Sequence, residues 1–202
     1  MTRQAEIQRV TKETSITSKL IIEGRGQADI QTPLGFLNHL LETFTRYGCF
    51  DLSFEAKGDL QVDQHHLVED CGIVLGKVFD RALGDRRGIN RAGFFVFPMD
   101  EALSVVAVDL GGRSFLQFEA DFKRRFCGAL DTDLLEDFFL GLAENLRANV
   151  VLRIPFGRSD HHKLESAFKG FGRAMRMACS KDPREIEGLP SLKGIIDHGG
   201  NY

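Results

Sequence analysis

Histidine is scarce in this chain of 202 residues, and four of its six copies stand as two adjacent pairs, in DQHHLVED at 63–70 and SDHHKLES at 159–166. Each pair carries a glutamate four positions after its first histidine: His65 with Glu69, and His161 with Glu165. On a helix, positions i and i+4 share a face, so each couple can grip one ion from the same side. The second histidines, His66 and His162, point about 100° around the helix and are placed for a different ion or a substrate. Imidazole and carboxylate without thiolate suit a borderline or harder divalent metal, with Mn, Fe and Zn all admissible. A lone helix histidine is more often packed or capping than ligating. Four imidazoles and two carboxylates at matching positions have no such packing account, because each would cost on the order of 1–3 kcal/mol if buried without a partner. The hydrolase spacings H-E-x-x-H and H-x-x-E-H are both absent.

The elements that must position these groups repeat as well. AEIQRVT and SITSKLIIEG read as strands, and GFLNHLLETFTRYG as an amphipathic helix stopped by Gly48. FDLSFEAKGDLQV reads as an alternating strand, and 65–83 as a helix ended by Gly84. From residue 88 the order returns: strands in FFVFPMDEALSVVAVDL and SFLQFEADF, a helix in DTDLLEDFFLGLAENLR, a strand in NVVLRIPFGR, and a helix in HHKLESAFKGFGRAMRMACS. His161 follows His65 by 96 residues (161 − 65), about half the chain. The expected fold is therefore α+β, with two similar fused half-domains, about 1–87 and 88–181, each a β-sheet with helices packed on one face. An irregular Gly/Pro-rich tail from 182 to 202, with mobile last residues, is expected to follow. The repeat also nominates His39, 26 residues before His65, and Asp137, 24 before His161, as further ligands.

Bulk properties exclude several classes. A net charge of -3, a pI near 6.1 and 43% hydrophobic residues describe a globular chain with no overall basic field for nucleic acid or acidic membranes. Cys49, Cys71, Cys127 and Cys179 are spread singly, which suits reduced thiols. With no apolar leader and no apolar run near eighteen residues, a soluble cytoplasmic protein is expected, with no membrane and no nucleic-acid partner.

The motifs RVTKETSI, GFLNHLLETF, GDLQVDQHHLVEDCGIVLG, PMDEALSVVAVDLGGRSF, GRSDHHKLESAFKGFGRAM and LPSLKG together resemble the imidazoleglycerol-phosphate dehydratase family from Arg9 to Gly194. The resemblance implies a duplicated fold assembled as a homo-oligomeric shell of 24 subunits, with two Mn2+ per active site between neighbours. It implies metal ligands at His39, His65, His66, Glu69, His161, His162 and Glu165, and an eighth at Asp137, where relatives usually have His. It places the substrate phosphate at Arg91, Arg113, Ser191 and Lys193, with Lys169 close by, and Glu13 at the glycerol end. Arg forks, a hydroxyl and an ammonium are suitable donors for a phosphate.

The implied reaction is dehydration of imidazoleglycerol phosphate to imidazoleacetol phosphate in histidine biosynthesis. No carbonyl acidifies the carbon-bound proton that must leave, so the ring itself, as a metal-bound imidazolate, is expected to expel the side-chain hydroxyl through a diazafulvene-like intermediate. A carboxylate then takes the neighbouring proton, with Glu165 the first candidate and Glu13 the second. The alternatives are a catalytically altered relative retaining the metal-binding shell and a metal hydrolase of another small phosphate ester.

Four positions depart from the family pattern: Asn38 for an aspartate, Thr43 for Gln, Tyr47 for His, and GGR at 111–113 for SGR. A carboxylate beside a ligating imidazole raises its basicity. Asn38 is thus expected to weaken metal binding through His39, and Asn38→Asp to restore it.

Overall fold

The computed structural model describes residues 2–184 and 188–196. The last residues of the tail, where mobility was expected, lie outside the described residues. The first half runs β1 (Gln4–Val10), β2 (Thr14–Ile21), β3 (Ala28–Gln31), α1 (Gly35–Gly48), β4 (Asp51–Gly58) and α2 (His65–Leu83). The second runs β5 (Ala92–Met99), β6 (Ala102–Asp109), β7 (Phe115–Ala120), a small hairpin β8 (Phe126–Cys127) and β9 (Leu130–Asp131), α3 (Leu134–Leu146), β10 (Asn149–Phe156) and α4 (Asp160–Cys179). The α+β class and the two similar halves are as expected.

Each half builds a four-stranded sheet of the same order, β1-β2-β4-β3 and β5-β6-β10-β7. In both, the last strand pairs antiparallel with the second and parallel with the third, so the repeat extends to strand direction. The short strand β3 was not anticipated, because ADIQ is too brief to show alternation. The strand expected over 50–62 ends at Gly58, and a turn follows in which the Val62 N–H donates to the Asp59 carbonyl.

The inner faces of the sheets carry the core. In β2, Ile16 and Leu20 are buried on alternate positions, as are Leu52, Phe54 and Ala56 in β4. The helices cover those faces, and α2 meets α3 while α1 meets α4 across the junction between the halves. Phenylalanines from all four helices interlock there. Phe44 lies 5.2 Å from Phe171 and 5.8 Å from Phe79, and Phe139 lies 5.4 Å from Phe171.

Backbone contact at this junction is very close. A Cβ on Gly72 of α2 would lie 2.0 Å from the Phe138 carbonyl oxygen of α3, and one on Gly172 of α4 would lie 2.6 Å from that of Phe44 in α1. The stop of α1 differs in detail from expectation. Cys49, not Gly48, takes the left-handed cap (φ 54°), and Gly48 is needed because a Cβ would strike the Phe50 ring at 2.3 Å.

Arg86 ties the halves together. Its buried guanidinium donates to the Leu110, Leu146 and Arg147 carbonyls and to Asp80. The outer faces of the two sheets are unlike. In the first sheet Gln4, Glu6, Gln8, Ser53, Glu55 and Lys57 face outward, whereas the second presents Phe94 (64% exposed), Val96 (51%), Leu103, Val105 and Val151. Among the described residues no helix is long and apolar enough to cross a membrane.

Gly72→Ala should push α2 and α3 apart and destabilise the chain by about 1–3 kcal/mol, the usual range for overpacking. Urea unfolding of the parent and variant checks this, and an unchanged midpoint would contradict the helix contact.

Candidate active site

α1 and α4 bring His39, His161 and Glu165 together. Glu165 Oε2 lies 3.2 Å from His161 Nε2 and 3.6 Å from His39 Nε2, and one ligand atom from each residue falls within 4.8 Å of the others. At 3.6 Å the His39 contact is too long for a hydrogen bond, and His39 Nε2 is a buried atom without a hydrogen-bond partner. Phe36 packs on both imidazoles, 6.0 Å from His39 and 4.9 Å from His161 between ring centroids. A buried, unpartnered ring nitrogen facing a second imidazole and a carboxylate fits a divalent cation well.

The other oxygen of Glu165, Oε1, meets the Lys169 ammonium at 2.9 Å. Burial raises the Glu165 carboxyl pKa, but the Lys169 hydrogen bond and charge and the nearby His39 more than offset it, leaving it below the usual glutamate value. Lys169 also sits over the Tyr47 ring at 5.3 Å and the Phe97 ring at 5.8 Å.

The equivalent junction of α2 and α3 gathers His65, Glu69 and Asp137, but less tightly. His65 presents Nδ1 to Asp137 at 3.6 Å and Nε2 to Glu69 at 4.0 Å, so the ring stands between its two carboxylates. The three donors therefore do not converge on one point as their counterparts do. The matched pair His39 and Asp137 is where the two junctions differ in residue type.

The second histidines turn away from these clusters toward strand ends. His66 Nδ1 lies 3.3 Å from both carboxylate oxygens of Asp59, and Glu13 Oε1 lies 3.9 Å from His66 Nε2. His162 Nδ1 lies 2.9 Å from Glu101 Oε2, whose other oxygen accepts from the Ser159 N–H at 2.8 Å. These bonds, that of His162 first, hold the Glu101 carboxyl down at about 2, and Asp59 raises the His66 imidazole above its usual value. No site role was expected of Asp59, Glu101 or Phe36 from the sequence. An acid at the turn of a hairpin or the end of a strand was the available signal.

A separate cavity of about 650 Å³ is lined by Arg91, Arg113, Ser191 and Lys193 with Gly111 and Pro190. Arg91 spends two donors on Asp109, at 2.6 and 2.9 Å, and a third on the Pro190 carbonyl, which ties the tail loop to β5 and β6. Lys169, expected near this group, does not line the cavity. Asn38 also departs from expectation. Its side-chain oxygen accepts from the Thr32 N–H and hydroxyl, and its amide donates to the Thr32 carbonyl. Asn38 thus pins the entry to α1 and does not hold His39.

Residues 32–175 match the family model described as imidazoleglycerol-phosphate dehydratase. The chain is 50% identical over 194 residues to the imidazoleglycerol-phosphate dehydratase of Koribacter versatilis (strain Ellin345), covering 96% of this chain and 100% of that protein. The protein of that name from Lactiplantibacillus plantarum gives the same identity and coverage. The crystal structure of the Staphylococcus aureus dehydratase superposes with a TM-score of 0.80 at 34% identity, over 89% of this chain and 99% of that one. That of the Pyrococcus furiosus enzyme in complex with (S)-C348 also gives 0.80 at 34%, over 94% and 99%. Fold and site together define a hydro-lyase, a carbon–oxygen lyase built on a duplicated α+β scaffold. The chain belongs to the imidazoleglycerol-phosphate dehydratase family, which catalyses the dehydration step of histidine biosynthesis.

Asn38→Asp removes the amide that donates to Thr32 and sets a carboxylate against that carbonyl. It should leave divalent-metal affinity unchanged and lower stability by about 1–3 kcal/mol. Calorimetric metal titration with thermal unfolding checks both, and tighter metal binding would show that a carboxylate at position 38 does act on His39.

Proposed function

We propose that this chain converts imidazoleglycerol phosphate to imidazoleacetol phosphate with two divalent metal ions per site, manganese foremost, at a centre completed between copies of the chain. The observation that carries this reading is the convergence of His161 Nε2 and Glu165 Oε2 on the buried, unpartnered Nε2 of His39. His39, His161 and Glu165 would hold one ion, and His65, Glu69 and Asp137 the other after a turn of the His65 ring. His66 and His162, about one-third exposed and directed away from both clusters, would reach a neighbouring copy.

Bound metal would supply Lewis acidity at the ring nitrogens of the substrate and so favour its imidazolate form. The chain's own residues do the remaining work. Arg91, Arg113, Ser191 and Lys193 would hold the phosphate by charge-assisted hydrogen bonds, each Arg donating in the plane of its guanidinium. Lys169 is better placed to keep Glu165 ionised and oriented than to contact that phosphate. Both Glu165 oxygens are engaged, which leaves Glu13, half-exposed and only 3.9 Å from His66, as the base. Glu13 would take the neighbouring carbon-bound proton once the hydroxyl has left through the diazafulvene-like intermediate, and the resulting enol tautomerises to product.

Assembly into a homo-oligomeric shell of 24 subunits follows from the same reading. Within each histidine pair one ring joins a cluster of the chain's own donors and the other turns toward a strand end, and the apolar side chains on the outer face of the second sheet offer area for copy-to-copy packing. The four free cysteines suit the reducing cytoplasm.

Metal-stripped protein should form no imidazoleacetol phosphate from imidazoleglycerol phosphate, and protein restored with Mn2+ should form it; absence of product under both conditions would defeat the proposal. Glu13→Gln should lower kcat by about 10²–10⁴-fold, the span of a lost general base. The double variant Val96→Glu/Val105→Glu should elute as a smaller species in light-scattering chromatography, whereas an unchanged mass would remove the second sheet from the assembly.

A further inference from the structure

The two halves treat their hairpin glutamates differently. Glu13 and Glu101 occupy corresponding places, each the residue immediately before the second strand of its half, β2 or β6. In the second half that glutamate is committed. Glu101 Oε2 lies 2.9 Å from His162 Nδ1 while its Oε1 accepts from Ser159 N–H, so the carboxylate is fixed between the hairpin and the start of α4. In the first half the corresponding ring nitrogen is served from another element. Asp59, just beyond the end of β4, sets both oxygens 3.3 Å from His66 Nδ1 and is itself tied to the hairpin, its N–H donating to the Glu13 carbonyl. Glu13 is thereby released to the opposite side of the ring, 3.9 Å from Nε2.

A neutral imidazole that donates through Nδ1 keeps its lone pair on Nε2, and an acceptor carboxylate both fixes that tautomer and raises the basicity of the free nitrogen. We propose that Asp59 and Glu101 are positioning residues that present Nε2 of His66 and His162 as ligands, and that Asp59 takes this task in the first half so that Glu13 stays free for substrate. The inference rests on the reading of His66 and His162 as metal ligands. It explains why only one of two equivalent hairpin glutamates is left without a fixed partner. Asp100, whose Oδ2 lies 3.8 Å from His162 Nδ1 and which is largely exposed, is too loosely held for the same role.

Titration of the metal-free full-length protein with Mn2+, with the free ion read by electron paramagnetic resonance, tests this directly. Asp59→Ala and Glu101→Ala should each weaken Mn2+ binding by about 10–100-fold, the usual effect of losing such a partner. Metal-free Asp59→Ala should keep the parent's thermal midpoint, while metal-free Glu101→Ala loses the Ser159 N–H bond and should melt somewhat lower yet remain folded. Asp59→Glu and Glu101→Asp, which retain the carboxylate, should recover part of the affinity. Glu13→Gln should keep the parent's Mn2+ affinity and lose turnover. Parent-like affinity in both alanine variants would overturn the proposal, and Glu13→Gln binding as weakly as Asp59→Ala would overturn the division of roles. A parent chain that binds no Mn2+ would remove the metal reading and this inference together, whereas binding by the parent with unaffected variants removes this inference alone.

Discussion

Two helix backbones can touch only where a side chain is missing, and the junction between the halves depends on that constraint. Gly72 and Gly76 let α2 reach the Phe138 and Leu142 carbonyls of α3, and Gly172 lets α4 reach that of Phe44 in α1. The clusters sit beside these contacts: Glu69 one turn before Gly72, and Asp137 next to Phe138. Even one methyl group at such a crossing must displace a backbone carbonyl, and a shift of that kind moves every donor on both helices. The spacing of imidazole to carboxylate is therefore set by packing between the halves before any local interaction refines it.

Duplication supplies two such junctions, and the differences between them have physical consequences. At α1 and α4 three donors converge, and Lys169 balances the charge of Glu165 from the side away from the imidazoles. At α2 and α3 an aspartate replaces the histidine partner, and the His65 ring is drawn between two carboxylates. The outer faces of the sheets diverge in the same way, polar over the first and apolar over the second. A chain with one largely polar and one largely apolar outer sheet face has a preferred side for packing against another surface.

Most of the fold was legible because helix and strand periods repeat at one offset, and the repeat cross-checks itself. What escaped was short or set by tertiary contact. ADIQ is four residues long and is a strand only because β4 lies beside it. Gly48 was read as a helix stop from residue type, although the Phe50 ring decides its presence and Cys49 makes the turn. The site shows the same division. His39, His161 and Glu165 were visible from spacing, and the structure brings them together. The environment of Asn38 was not, because Thr32 competes for its amide six residues upstream and no spacing rule reveals which neighbour wins.

Charge explains how the start of α4 can hold a buried acid beside its two histidines. Asp160, at the first position of α4, is buried with Lys163 at 3.0 Å and accepts from the Lys123 and Arg124 N–H groups. Burial raises its carboxyl pKa, but Lys163 and those amides outweigh that and leave it below the ordinary value. A group with a depressed folded-state pKa contributes stability above its unfolded value and loses it as the pH falls toward the folded one. At neutral pH Asp160 is therefore a fixed anion that anchors the loop after β7 to the residue preceding His161. The same ion pair holds the start of α4 in place, so the directions in which His161 and His162 diverge are fixed from a helix end anchored by a buried charge pair one residue away.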